Sequence, residues 1–203
     1  MKKLNWIKFE NKIKEISLRI FTPYEISIIF NVSLRSVHAF FNYYLNKEMI
    51  LKIKKNYYCL KSFIPSDFFI ASFVYQPSYI SLETTLSYYG IIPETTYELI
   101  SITPKKTFNF KFNKKSFVYH RIKKEFFFGY QLKDLNSERF FLADKEKAIL
   151  DYLYFCFLKK KILNERLTID QKKFDKKKLN QYLARFENRN FQEYVREKLK
   201  KIL

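Results

Sequence analysis

Apolar and polar positions along the first 45 residues follow helical spacing, which is interrupted twice by capping signals. Thr22-Pro23-Tyr24-Glu25 is a capping box with proline at the first helical position, a combination that marks a helix start. Asn31-Val32 then predicts a tight turn, and Ser33 provides a cap for the next helix. The pattern therefore predicts three helices, over residues 6–18, 22–30 and 33–45.

After Asn46 the pattern changes to short runs that are typical of β-strands. Residues 49–53 and 57–60 predict two strands joined by Lys54-Lys55-Asn56, and asparagine tolerates the left-handed backbone that a tight hairpin requires. Three helices followed by such a two-stranded wing are typical of a winged helix-turn-helix domain. We assign this domain to residues 1–62.

Residues 63–203 predict a second, mixed domain, so that the whole chain belongs to the α+β class. Strand patterns favour a small antiparallel sheet, and in one of them Phe108, Phe110 and Phe112 alternate with polar residues and should share one face. C-terminal helices follow the sheet. Helices are predicted over residues 66–75, 81–89 and 144–158, with one or two more over 176–203, and strands over 97–103, 107–112, 117–122, 126–132 and 139–142.

The charge balance favours a polyanionic partner. The chain has 39 Lys and Arg against 20 Asp and Glu, a formal net charge of +19, and such an excess attracts nucleic acid at long range. Residues 1–62, with twelve basic and four acidic side chains, carry +8, and residues 144–203, with seventeen and nine, also carry +8. Phe, Tyr and Lys are abundant and Gly is rare, as an A+T-rich coding sequence would produce, so drift in codon usage is an alternative source of part of this charge.

The third predicted helix offers a polar face suited to reading DNA. Its spacing directs one set of residues towards the core, namely Leu34, Val37, Phe41, Tyr44 and Leu45, and another outwards, namely Arg35, His38, Ala39, Asn42 and Tyr43. In the major groove arginine pairs with guanine and asparagine with adenine, while hydroxyls at a helix start suit phosphates. Lysines of the wing add phosphate contacts. The candidate DNA-binding residues are Ser33, Arg35, Ser36, His38, Asn42, Lys52, Lys54 and Lys55.

Two alternatives stay open for these basic surfaces. A polar helix face can simply be solvated, and winged helices also serve as docking modules, so the chain could instead bind a toxin protein or an RNA directly, without operator-specific DNA binding. The lysines of the tail could follow phosphates or form a solvated face. These tail lysines are Lys172, Lys173, Lys176, Lys177 and Lys178.

Nothing in the sequence indicates an enzyme, a cofactor or a metal. There is no HExxH and no glycine-rich phosphate loop, and a lone strand histidine, His120, is more often structural than catalytic. Asp144 is explained as a helix cap, and Lys147 with Asp151 as an i, i+4 ion pair. A metal-dependent nuclease would have to draw on Glu83, Glu94, Glu98, Asp144, Glu146 and Asp151.

The sequence also predicts a cytoplasmic protein without a membrane segment. Two distant cysteines, Cys59 and Cys156, cannot build a disulfide framework and fit a reducing compartment. The least charged stretch, residues 62–82, contains Asp67 and two prolines, which would be costly in hydrocarbon. The oligomeric state is left open.

Three stretches resemble the AbiEi family, the antitoxin and transcriptional-regulator half of type IV abortive-infection toxin–antitoxin pairs. The first is the winged head, through YLNKEMI at residues 44–50 and Tyr57-Tyr58. The second, PSYISLETTLSYYGII at residues 77–92, is similar to the family's first hallmark, and LADKEKAILDYLY at residues 142–154 is similar to its second. The likeness covers residues 15–158 in the family's order, with Asn in place of the usual Gly at the wing turn.

This resemblance implies a bifunctional protein. The N-terminal domain would repress its own operon by binding promoter DNA, and the remainder would counteract a cognate nucleotidyltransferase-like toxin, without necessarily forming a stable complex. Within the hallmarks the residues suggest architecture, with Ser81 as a helix cap and Gly90 as a helix stop. No antitoxin active site is carried over.

Overall fold

The computed structural model describes residues 4–94, 97–169 and 174–202 and divides into two compact units. The first unit comprises residues 1–70 and 110–114, and the second comprises residues 71–109 and 115–203. Each unit contains a hydrophobic cluster of its own. Both helices and strands are present throughout, which confirms the predicted α+β class.

The first unit begins with three helices and continues with a hairpin. The helices are α1 (Trp6–Glu15), α2 (Pro23–Phe30) and α3 (Leu34–Asn46), and the antiparallel hairpin pairs β1 (Ile50–Lys54) with β2 (Tyr57–Leu60). The prediction that α1 extends to residue 18 is wrong. A left-handed backbone at residue 17, with φ of 53°, ends the helix earlier.

Local capping explains where these elements start and stop. The capping box at α2 is confirmed: Glu25 N donates to Thr22 Oγ1 over 3.2 Å, and Thr22 N donates to Glu25 Oε2 over 2.7 Å. Asn31 ends α2 in the left-handed region at φ of 49°, and Asn56 turns the hairpin at φ of 69°. Asparagine adopts this conformation more readily than most residues, so it can stand where glycine would be expected.

Aromatic rings form the core of the first unit. Phe9 is fully buried, and its ring centroid lies 5.1 Å from that of Phe40 and 5.6 Å from that of Phe21. Phe21 and Tyr58 exchange two backbone hydrogen bonds of 2.9 and 3.0 Å, which attach the segment before α2 to the hairpin. The buried residues of this cluster are Phe9, Ile13, Phe21, Ile26, Val37, Phe41, Ile50, Tyr58 and Leu60.

A six-stranded mixed sheet and several helices make up most of the remaining chain. Among the neighbouring strand pairs whose register is described, two are parallel and two are antiparallel. The strands are β3 (Tyr79–Ile80), β4 (Glu98–Thr103), β5 (Phe108–Phe112), β6 (Lys115–Arg121), β7 (Tyr130–Leu135) and β8 (Glu138–Ala143). They follow the spatial order β5-β6-β4-β3-β8-β7. The helices are α4 (Asp67–Val74), α5 (Leu82–Tyr88), α6 (Lys145–Phe157), α7 (Lys176–Leu183) and α8 (Arg189–Ile202).

The prediction of a small antiparallel sheet is wrong, because β4 pairs parallel with β6 and β3 adds a second parallel pair. This two-residue strand, which no sequence pattern predicts, pairs antiparallel with β4 and parallel with β8. The predicted strand over residues 126–132 is also displaced, because residues 124–126 form a 3-10 turn and β7 starts at Tyr130. Gly129 precedes it at φ of 74°, a conformation that favours glycine.

A buried ion pair of the second unit lies where the two stretches that resemble the AbiEi hallmarks meet. Lys147 and Asp151 are both 0% exposed, and the Lys147 ammonium contacts Asp151 Oδ1, as the i, i+4 prediction required. The hydroxyls of Tyr79 and Ser81 each donate to Asp151 Oδ2 over 2.9 Å. The prediction that the Ser81 hydroxyl caps α5 is therefore wrong, although the residue stands at the N-cap position.

Burial and charge pairing act in opposite directions on this pair. Burial raises the pKa of the Asp151 carboxyl and lowers the pKa of the Lys147 ammonium, and the contact between the two groups opposes both shifts. The Lys147 stem also packs against the backbone of Gly129, where an added Cβ would lie 2.9 Å from Lys147 Cγ. The lysine therefore excludes larger side chains at residue 129.

In the part of the chain that the structure describes, every helix is too short or too polar to cross a bilayer.

We predict that Lys147→Met destabilises the chain by about 3–5 kcal/mol, because it leaves the Asp151 carboxylate buried without its counter-charge. The double variant Lys147→Met/Asp151→Asn should recover much of this loss, since the amide oxygen still accepts from the two hydroxyls. The measurement is urea unfolding followed by circular dichroism. The matched control, Lys201→Met, removes an exposed i, i+4 partner of Glu197 and should leave the unfolding curve unchanged. Equal curves for Lys147→Met and wild type would contradict the importance of the pair.

Candidate nucleic-acid interface

Helix α3 presents the polar face that the sequence predicts. Val37 is fully buried and Phe41 is 1% exposed, whereas Arg35, His38 and Asn42 are exposed on the opposite side. Ala39 and Tyr43 are exposed as well. Three side chains with hydrogen-bonding groups therefore stand together on the outward face of one helix, clear of the aromatic core.

Leu34 departs from the prediction. The helical pattern places it in the core, but it is 44% exposed and is absent from the buried cluster of this unit. It lies four positions before His38, so the two side chains are neighbours on the helix surface. Leu34 thus lies at the edge of the exposed face, in the first turn of α3.

The start of α3 is capped by serine. Ser36 N donates to Ser33 Oγ over 3.2 Å, and the two hydroxyl oxygens lie 3.0 Å apart. Ser33 is exposed and Ser36 is half-buried. Because the first backbone N–H groups of a helix have no acceptor within the helix and its dipole is positive there, this end of α3 suits a phosphate oxygen.

The hairpin carries the three candidate lysines. Lys52 and Lys54 flank the buried Ile53 on β1, where the pairing with β2 is interrupted by a bulge. Lys52 is exposed, whereas Lys54 is half-buried, with its ammonium 5.0 Å from the centre of the Tyr57 ring. Lys55 is exposed in the turn. Helix α3 packs directly against β1, and all eight candidate residues belong to the first unit.

Sequence reasoning missed one cation beside this face. The Lys47 ammonium, just after the end of α3, lies 4.5 Å from the centre of the exposed Tyr43 ring. A hydrogen bond with the Tyr43 side chain raises the pKa of Lys47. The i, i+4 spacing of Tyr43 and Lys47 is the signal that could have identified it.

The lysines of the tail differ from those of the hairpin. Lys172 and Lys173 lie outside the described residues. The Lys178 ammonium is 2.9 Å from Asp144 Oδ2. Partial burial lowers the pKa of Lys178, but the hydrogen bond and the charge of Asp144 outweigh this effect and raise it. Lys176 and Lys177 are exposed at the start of α7. At least one of the predicted tail cations therefore has a structural partner.

One of the carboxylates that a nuclease would have to use, Asp144, has a structural role. Lys147 N donates to Asp144 Oδ1 over 2.9 Å, which confirms Asp144 as the cap of α6. Within residues 4–94, 97–169 and 174–202, no three His, Cys, Asp or Glu side chains are grouped as metal ligands. Cys59 and Cys156 are free and buried, and burial raises the pKa of their thiols to about 12 and about 11.

Comparison of the chain with models of known protein families gives no match, and no curated protein sequence is significantly similar to it. The likeness to the AbiEi family therefore rests on the quoted stretches of sequence alone.

Proposed function

We propose that the chain is an antitoxin and transcriptional autorepressor that binds promoter DNA through its N-terminal unit. The observation that carries this proposal is the exposed face of α3 beside a lysine-bearing hairpin. Residues 1–62 carry a net charge of +8, from twelve basic and four acidic residues. A compact unit with this charge and a polar helix face has the features of a duplex-binding module.

In this proposal the three helices and the hairpin act as a winged helix-turn-helix domain. Helix α3 enters the major groove, where Arg35 pairs with guanine and Asn42 with adenine. The Ser33 end of α3 and the lysines of the hairpin contact phosphates, which position the domain without reading the sequence. Such a protein acts where the DNA is, so the cytoplasm is part of the proposal.

The second unit would supply the antitoxin activity, as the resemblance implies. Its support is that the two hallmark-like stretches meet at Asp151, to which Tyr79 and Ser81 donate from the first stretch and Lys147 from the second. One buried network therefore links the two stretches. The partner would be a nucleotidyltransferase-like toxin, counteracted with or without a stable complex.

We predict that the full chain binds the promoter duplex of its own operon with an affinity that falls steeply as salt rises. Arg35→Ala should weaken binding to this duplex and relax discrimination against point-mutated sites by about 1–3 kcal/mol. Lys55→Ala should weaken all duplexes alike and reduce the slope of log affinity against log salt by about one. Fluorescence anisotropy over a salt series measures both.

The control for lost charge is Lys201→Ala, which removes one exposed positive charge from α8 in the other unit. It should leave the salt slope unchanged. If Arg35→Ala and Lys55→Ala both bind like wild type, the assignment of the DNA face is wrong. If the chain forms a salt-resistant complex with a toxin or an RNA but binds no promoter DNA, the docking-module alternative is correct.

We further predict that the two activities separate. Co-expression of the chain should relieve the growth arrest caused by a nucleotidyltransferase-like toxin encoded beside it. Arg35→Ala should relieve this arrest as well as wild type does while repressing a promoter reporter poorly, because the substitution leaves the second unit unchanged. Failure of the wild-type chain to relieve the arrest would refute the antitoxin half of the proposal.

A further inference from the structure

We infer that Leu34 is a specificity-determining residue that contacts the methyl group of thymine, so that the DNA site contains an A·T pair opposite the first turn of α3. This inference rests on the proposed DNA binding. Its starting point is the unexpected exposure of Leu34, which is 44%. The side chain lies at the edge of the outward face of α3, on which His38 and Asn42 are exposed.

The position of Leu34 on the helix is the first argument. Recognition helices of this general type contact base edges mainly with residues near their N-terminus. Leu34 is the first residue of α3 and directly follows the Ser33 cap. A phosphate held at the capped end would therefore bring the leucine side chain close to the base edges of the groove.

The chemistry of the groove is the second argument. The C5-methyl group of thymine is the apolar feature of the major-groove edge, and apolar side chains recognise it by contact. Leu34, at the edge of the outward face, and Ala39, on that face, are the exposed aliphatic residues of α3. Asn42, on the same face, has the side chain that pairs with adenine. Arg35 is the sole arginine of this helix. One residue of the face is thus suited to guanine, whereas Ala39 and Asn42 are both suited to A·T pairs.

An exposed leucine can also arise in two simpler ways, which the experiment must separate from contact with a base. Single exposed apolar residues are common on protein surfaces and need no function. Leu34 could also be covered by a second copy of the chain. In neither case does the affinity for DNA depend on a methyl group of the base.

The experiment replaces only that methyl group. A high-affinity duplex is selected from a randomised library with the full chain, and is then synthesised with deoxyuridine in place of each thymidine in turn. Uracil pairs as thymine does but lacks the methyl group. At one position or more, wild type should bind the uracil duplex about fourfold more weakly, the effect of one buried methyl group.

The variant Leu34→Ala should bind the thymine duplex about fourfold more weakly than wild type does. It should bind the uracil duplex as tightly as it binds the thymine duplex. Alanine is a good helix former and Leu34 lies outside the buried cluster, so the variant should fold normally. The matched control is Ile7→Ala, which shortens a branched aliphatic side chain on α1 that is 67% exposed. It should keep the full preference for thymine.

The outcomes are distinct. If wild type does not discriminate thymine from uracil at any position, or if Leu34→Ala discriminates as wild type does, the inference is wrong while the proposed DNA binding stands. If the full chain binds no duplex at low salt, the proposed function fails and this inference fails with it.

Discussion

The second unit depends on the burial of two opposite charges. Lys147 and Asp151 are both fully buried, one turn apart on α6. Removing an ammonium and a carboxylate from water costs several kcal/mol for each ion, and their attraction offsets this cost only when the remaining hydrogen-bonding capacity is also satisfied. The hydroxyls of Tyr79 and Ser81 provide that satisfaction. The short strand β3 must therefore lie beside α6, and β3 in turn joins β4 to β8.

The start of the same helix organises the C-terminal region. Asp144 accepts from the Tyr182 hydroxyl over 2.7 Å and pairs with the Lys178 ammonium. Glu146, which is 5% exposed, accepts from the backbone N–H of Asp175 over 3.0 Å. Because acidic side chains are stabilised at a helix N-terminus, α6 can hold two nearly buried carboxylates there and use them to attach α7. The positive charge of the tail thus has a structural role in part.

The sequence predicts what local interactions determine. Thr22 with Glu25 and Ser33 cap their helices, as their spacing indicates, and the outward face of α3 is correct because Val37 and Phe41 are strongly apolar positions in a regular helix. The helical pattern and its cap identify five residues of the candidate interface, and the strand pattern of the hairpin identifies the three lysines. Local signals also place most strands of the second unit within a few residues of their observed bounds.

Two features could not be predicted, for a common reason. The parallel pairing of β3 with β8 joins Ile80 to Leu142, and no local pattern reports contacts over such a separation. Leu34 is misassigned because a helical pattern identifies the buried stripe but not where the neighbouring elements stop covering it. At the end of a helix that stripe continues past the core, so an apolar residue there can be exposed.

The two units use their polar residues in different ways. Tyr79, Ser81, Lys147 and Asp151 are partners of one another inside the fold, so a change in one leaves another unsatisfied. On α3, the exposed Arg35 and Asn42 are separate from the aromatic cluster. Substitutions there alter what the surface can bind at little cost in stability. The exposed face of α3 is therefore the part of the molecule whose chemistry can change while the buried network stays as it is.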